Sequence, residues 1–373
     1  MIKVAIVGGV LHSGGKKNLI MEYLRHFDKT KIQFDLIVDS DSNSIPYNEI
    51  KQLGGRVFLI TPYRKIYSHI VELKQILLNN KYDIVHAFDN TLNIFPMLTA
   101  KKCGIPVRIN ESISMGHKGE WKNYIKMALR PFSKVGSTVY MSNSVECGKW
   151  QFGKKAFESG NVYVFKSVIN TQVNAFDEEL RNLTRKKFGW KNNVVYGVIA
   201  RFEMQKNPLF MIDIFNEIVK YQDNARLVMI GHGSMLDKMN ERIRKYGIEK
   251  NVENLGRRED IRQFYNAFDA FLLPSLYEGL PIVALEAQAC GLPIFMSTEV
   301  TREASGSDLA YFIPLSSSAP EWAKIIVRET NRNLYVRRSY IDELTSVGFD
   351  SKSESERMLQ FYISKVKTTK RIK

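Results

Sequence analysis

Short apolar runs alternate with longer amphipathic stretches through the first half of the chain. The runs fall at 4–7, 34–38, 57–60, 84–86, 107–109, 138–141 and 162–165. Helical periodicity fills most of the gaps, for example at 16–27, 66–79 and 92–103. Strand-helix alternation of this kind predicts a parallel, doubly wound sheet. The second half repeats the plan, with strands at 194–199, 226–230, 270–273 and 293–296 and helices at 208–221 and 235–246. Asn207 reads as the N-cap of the first of these helices and Pro208 as its first residue, where a missing N–H costs nothing. A polar, charge-rich stretch at 170–187 marks the break between the halves. The expected fold class is therefore α/β, with two Rossmann-like domains whose parallel sheets face a cleft. The expected boundaries are 1–172, 173–350 and a terminal segment 351–373. Ligands in such sheets sit beyond the C-terminal ends of the strands.

A chain of 373 residues with 44% hydrophobic content is enough for two real cores. No apolar run reaches the length of a membrane span. Residues 1–7 are too short for a signal peptide and read as a first buried strand. Cys103, Cys147 and Cys290 are odd in number and widely spaced, so they imply small core residues, no disulfide framework, and a cytoplasmic chain. Basic residues exceed acidic ones by 15, which favours an anionic partner. No zinc-finger spacing or RNP-like aromatic motif is present, so no nucleic acid is expected. Lys118, Lys122, Lys126, Arg130 and Lys134 recur every four residues, with Trp121, Tyr124, Ile125, Met127, Leu129 and Phe132 among them. This predicts a basic amphipathic helix at an anionic membrane surface, ended or kinked by Pro131. Lys365, Lys367, Lys370, Arg371 and Lys373 add a basic tail.

The candidate chemistry centres on Pro274-Ser-Leu-Tyr-Glu-Gly-Leu-Pro-Ile-Val-Ala-Leu-Glu286. It follows a strand and reads as strand, tight turn, helix. Gly279 lets backbone approach a ligand, and Pro281 suits the first helical turn. Amides of that turn form an anion site. Glu278 stands beside it, and Glu286 projects from the helix eight positions on. A phosphate at the amides with hydroxyl-rich groups at the two carboxylates describes a nucleotide-sugar. Arg201 and Lys206 follow another strand end, where cations can neutralise a diphosphate leaving group.

The 274–286 segment resembles the E-x7-E signature of retaining GT-B glycosyltransferases of family 4. Residues 199–207 are similar to that family's G-R-x-x-x-x-K-N loop, 230–233 to its G-x-G turn, and 255–261 to its base-binding loop. The resemblance runs over about 190–315 and continues through 300–303, as in exopolysaccharide and capsule enzymes. It implies a metal-independent hexosyltransferase without a cofactor, moving sugar from a UDP-sugar to a glycan or polyprenyl-linked acceptor with retention of configuration. It further implies that Arg201 and Lys206 hold the diphosphate, Glu278 the sugar hydroxyls and Glu286 the ribose. Gly279, Leu280 and Pro281 line diphosphate and sugar, Gly231 belongs to the G-x-G turn, and Arg257 lies where the base is read. Gly14 and Gly15 resemble the G-G loop that touches donor phosphates. In this fold the last helix, here at 351–364, crosses back to the N-terminal domain.

One stretch departs from the family. Histidines usual after the strand near Val107 are absent, and Glu111 occupies the position of the first; it is the expected group for orienting an acceptor hydroxyl. His117, His86 and His12 are the other candidates. The lost histidines also suit a silent subunit supporting a partner glycosyltransferase, and the same fold houses a UDP-sugar 2-epimerase. Asp39-Ser40-Asp41 has D-x-D spacing but reads as a solvated turn, so no metal is expected.

Overall fold

The structure, a computed structural model, describes residues 1–12, 15–115, 121–334 and 336–371, with the side chains of 121–123 and 370–371 set aside. It divides into two units, Met1–Val168 with Ser351–Lys373, and Ile169–Asp350.

In the first unit the strands are β1 (Ile2–Gly9), β2 (Ile32–Asp39), β3 (Arg56–Ile60), β4 (Ile84–Ala87), β5 (Val107–Ser112), β6 (Val139–Ser142) and β7 (Val162–Val164). They pair in parallel in the order β3-β2-β1-β4-β5-β6-β7. The central strands are buried on both faces, which is why they read as unbroken apolar runs. Helix Ser351–Arg371 joins this unit's core through Met358, Leu359, Tyr362 and Val366, packed with β1, β2 and β5 residues.

The second unit has β8 (Val194–Arg201), β9 (Ala225–His232), β10 (Val252–Asn254), β11 (Ala270–Leu273), β12 (Ile294–Ser297) and β13 (Ala310–Ile313). These too are parallel, in the order β10-β9-β8-β11-β12-β13. In each sheet the order reverses once, between β1 and β4 and between β8 and β11. In open parallel sheets of this kind ligands bind beyond the strand ends at such a reversal.

Three local expectations need correction. The unit boundary lies at 168/169 rather than 172/173. Ile169 N–H already bonds Phe349 O at 3.0 Å, and Thr171 Oγ1 bonds Asp350 at 2.7 Å, both in the second unit. The polar stretch at 170–187 is not a linker throughout. Helix Glu178–Phe188 lies there, capped by the Asp177 side chain and by Gly189 in the left-handed region. Its Arg181 and Arg185 converge on Asp269 and on the carbonyls of 266–268, so charge there ties a helix to a strand start. Asn207 precedes helix Pro208–Tyr221 but makes no side-chain cap; it sits at φ 50 and turns the chain instead.

Candidate active site

In the second unit, four neighbouring strands end side by side at the reversal of sheet order. β8 ends at Arg201, β9 at His232, β10 runs into the 255–257 loop, and β11 runs into Ser275 and Glu278. After β8 the chain makes a single 3-10 turn, Met204–Lys206. Lys206 Nζ meets Glu278 Oε1 from there, with both side chains largely buried. The same oxygen accepts from Ser275 Oγ at 3.0 Å, and Oε2 from Gln205 Nε2 at 3.4 Å. Gln205 also bonds Tyr277 O (3.1 Å) through its amide and accepts Leu276 N–H (2.8 Å) at its carbonyl. The two loops are thus zipped by backbone and side chain, and the Glu278 carboxylate is held by three donors, Lys206, Ser275 and Gln205.

Arg201 is exposed at the end of β8. Gly231, at φ 142, has Ala200 O where a Cβ would stand, at 1.8 Å; only glycine lets β9 run this close to β8. Its N–H bonds Gly256 O at 2.8 Å, which fixes the loop bearing the exposed Arg257. Nothing lies within 4 Å of a Cβ built on Gly279, so the turn is open at that point. Leu280 is half-buried, in contact with the Phe271 and Leu285 clusters. Pro281 sits one position earlier than expected, as N-cap of helix Ile282–Ala289. Glu286 on that helix accepts from the buried Tyr265 hydroxyl at 2.7 Å. Arg201, Lys206, Arg257, Glu278 and Glu286 therefore stand on the loops and first helix that follow neighbouring strand ends.

The first unit corrects the acceptor-side expectation. Glu111 is wholly buried on β5 and cannot reach an acceptor hydroxyl. Its Oε2 lies 2.8 Å from His86 Nε2 on β4, and His86 Nδ1 lies 2.6 Å from the Tyr362 hydroxyl. Burial raises the Glu111 carboxyl above its ordinary range, and His86 offsets only part of that rise. The group that looked like a base is the middle of the core. His86 is structural in the same way, and exposed His12 pairs with Asn43. Gly14, His117 and Lys118 lie outside the described residues; Gly15 opens helix Gly15–His26.

Sequence reasoning missed a cluster at the β1/β4 reversal. Lys16 Nζ bonds Gly8 O at 2.5 Å and Asp89 Oδ1 at 2.6 Å. A Cβ on Gly9, at φ 51, would strike the Asp89 carboxylate at 2.0 Å. Asp89 Oδ2 is buried and has no hydrogen-bond partner among the described residues. Asp39 is not a solvated turn residue: it ends β2 at 1% exposure, 3.6 Å from His69 Nδ1. Burial, and then the charge of Asp89, lift its carboxyl to about 7. Asp41, by contrast, is exposed and pairs with Arg64 at 3.1 Å. The signal in the sequence was only that Asp39 and Asp89 follow strands directly.

Helix Trp121–Leu129 exists, followed by the 3-10 turn Arg130–Phe132 that holds Pro131. Tyr124, Ile125, Met127 and Phe132 are exposed. Of the five expected cations, Arg130 and Lys134 are exposed and Lys126 is half-buried, while the Lys122 side chain lies outside the described residues. Among the described residues no helix is long and apolar enough to cross a membrane.

Residues 181–303 match the model of the family described as Glycosyl transferases group 1. The chain is 27% identical over 366 residues, 94% of both chains, to a Bacillus subtilis (strain 168) protein carrying the glycosyltransferase name EpsF. It is 25% identical over 240 residues, 62% of each chain, to the Escherichia coli UDP-Gal:alpha-D-GlcNAc-diphosphoundecaprenol alpha-1,3-galactosyltransferase. The fold is similar to that of Anabaena HepE in complex with UDP-glucose, at TM-score 0.76 and 16% identity, covering 98% of this chain and 100% of that one. The chain is a glycosyltransferase with the GT-B fold, and its residues 181–303 carry the pattern of the group 1 glycosyl transferases.

Proposed function

We propose that the chain transfers a sugar from a UDP-sugar to a lipid-linked glycan in exopolysaccharide or capsule synthesis, with retention of configuration and without a metal. The observation that carries this reading is the Lys206–Glu278 pair beside exposed Arg201 at the β8/β11 reversal. A diphosphate arriving there meets two cations and the open turn at Gly279. As Lys206 turns from Glu278 to phosphate, Glu278 becomes free to accept bonds from sugar hydroxyls. Charge that builds on the leaving diphosphate is met by Arg201 and by Lys206 once it has turned to the phosphate. Tyr265 holds one oxygen of Glu286, and its carboxylate faces the ribose diol. Arg257 reads the base. The names of the relatives, one of which acts on a diphosphoundecaprenol acceptor, support the donor and acceptor classes.

With Glu111 buried, the acceptor side falls to Asp89, whose side chain is partly exposed at the β1/β4 reversal and pairs with Lys16. The exposed apolar and basic helix at 121–132 attaches the enzyme peripherally to an anionic membrane at its cytoplasmic face. A second reading, a silent subunit supporting a partner glycosyltransferase, is favoured by the burial of Glu111. Incubation with a panel of UDP-sugars, followed by UDP release and calorimetry, tests the proposal. Binding without release in the presence of membrane acceptor would select the silent subunit, and no binding at all would sink both.

A further inference from the structure

Helix Trp121–Leu129 and its continuation to Val135 expose Tyr124, Ile125, Met127, Phe132 and Val135 at 43–63% each. A core-packed helix buries such residues; five within twelve positions make an unpartnered apolar face. No acidic residue occurs from 121 to 145. Beside this face lies an open cavity of about 340 Å³, lined chiefly by Met127, Arg130, Pro131, Lys134, Gln151 and Phe152. Cavities that hold small ligands begin at about that size.

The lining has a definite chemistry. Arg130 stacks over the Trp150 ring, 5.5 Å from its centroid, which orients the guanidinium and leaves its N–H edge for an anion. Lys134 is exposed, and neither cation pairs with a carboxylate among the described residues. Gln151 is 2% exposed. Its Nε2 donates to Asn90 O at 3.1 Å and Asn110 Oδ1 at 2.9 Å, so the amide cannot flip. Its Oε1 is buried without a partner among the described residues. An amide oxygen only accepts, so an ionised phosphodiester cannot satisfy it, whereas a hydroxyl can.

We infer that this cavity seats the headgroup of an anionic phospholipid that carries free hydroxyls beside its phosphate, as phosphatidylglycerol does. Arg130 and Lys134 take the phosphate, a glycerol hydroxyl bonds Gln151 Oε1, and the exposed apolar residues meet the acyl region. The inference rests on the membrane attachment proposed above and adds a headgroup preference to it.

The test is vesicle co-sedimentation of the full chain at matched surface charge, comparing phosphatidylglycerol with phosphatidylmethanol and phosphatidylethanol, anionic diesters that carry no hydroxyl, in a neutral lipid background. The expected result is at least fivefold tighter binding to phosphatidylglycerol. Arg130→Gln with Lys134→Gln should remove that preference, and so should Met127→Trp, which fills the cavity from an exposed position. Lys126→Gln, outside the lining, should weaken binding to all three lipids alike. Equal wild-type affinity for the three headgroups overturns the seat and leaves general electrostatic attachment standing. So does a preference that survives both cavity variants. Failure of the wild type to bind any anionic vesicle overturns attachment and seat together. Lipid-free dimerisation lost in Met127→Trp would assign the face to a second copy of the chain.

Discussion

Lys206 and Glu278, 72 positions apart in the chain, neutralise each other at the strand ends of the second unit. Under the proposed function, each partner must let go of the other to engage a donor. Lys206→Ala should weaken UDP-sugar binding by about 1.5–3 kcal/mol, the range of a hydrogen bond to a charged group. Glu278→Gln should act differently. It should leave binding of UDP alone unchanged or tighter, because Lys206 is released, while sugar discrimination falls. Isothermal calorimetry with UDP and UDP-sugars separates the two, and unchanged UDP-sugar affinity in Lys206→Ala would show that the site is misassigned.

Tyr265→Phe removes the hydroxyl that holds Glu286 at 2.7 Å. The ring stays in the core, so the fold should survive. Donor affinity should drop by about 0.5–1.5 kcal/mol, as for loss of one neutral donor. Binding of a 2′-deoxy donor should change less than that of the ribo form. An equal loss for both would remove Glu286 from the ribose.

Asp39 gives the protein a pH dependence of definite sign. Its carboxyl titrates at about 7 in the fold against 3.8 as a free side chain, because it is buried and faces Asp89, with His69 and Lys16 also near. The folded state therefore holds an extra proton between those values. The stability due to Asp39 is complete below pH about 4 and is lost as pH rises through about 7. Asp39→Asn should flatten this part of the stability profile and exceed the wild type above pH 7 by roughly 2–4 kcal/mol. Urea melts from pH 4 to 8 read both, and parallel profiles for the two proteins would refute the assignment.

His86 links Glu111 to Tyr362, so these residues should govern stability and not transfer. Tyr362→Phe should cost about 1–3 kcal/mol, since it leaves a buried imidazole nitrogen unpaired. Glu111→Gln should lower the melting midpoint with little change in kcat per folded molecule. A selective loss of transfer in Glu111→Gln, with its melting curve intact, would return this residue to the acceptor site.

The parts of the fold that were legible are those with strong local signals. β1, β2 and β11 are buried on both sides and are unmistakable as apolar runs. β10 and β13 were missed because they are edge strands, short and half-exposed, and their residues have no reason to be uniformly apolar. Arg201, Lys206, Glu278 and Glu286 were singled out by the resemblance of their spacing to a family motif, and the fold sets them on the loops and helix after neighbouring strands. Gln205 and Tyr265 were not, since their value depends on which atoms of distant loops they meet. Glu111 misled for the same reason. Its partner is on the next strand, but the third member of the chain of contacts lies 276 positions from His86.

Helix Ser351–Arg371 has a consequence for the order in which the molecule is made. Its Met358, Leu359, Tyr362 and Val366 are interior parts of a unit otherwise encoded by residues 1–168. During synthesis those early residues emerge first, with a groove where the helix belongs and His86 lacking its partner. The second unit, contiguous in sequence, has all its strands before that helix appears. Vectorial synthesis therefore reverses the apparent order: the unit begun first is finished last. A released chain truncated after 350 should protect the second unit from protease while leaving the first unit cleavable.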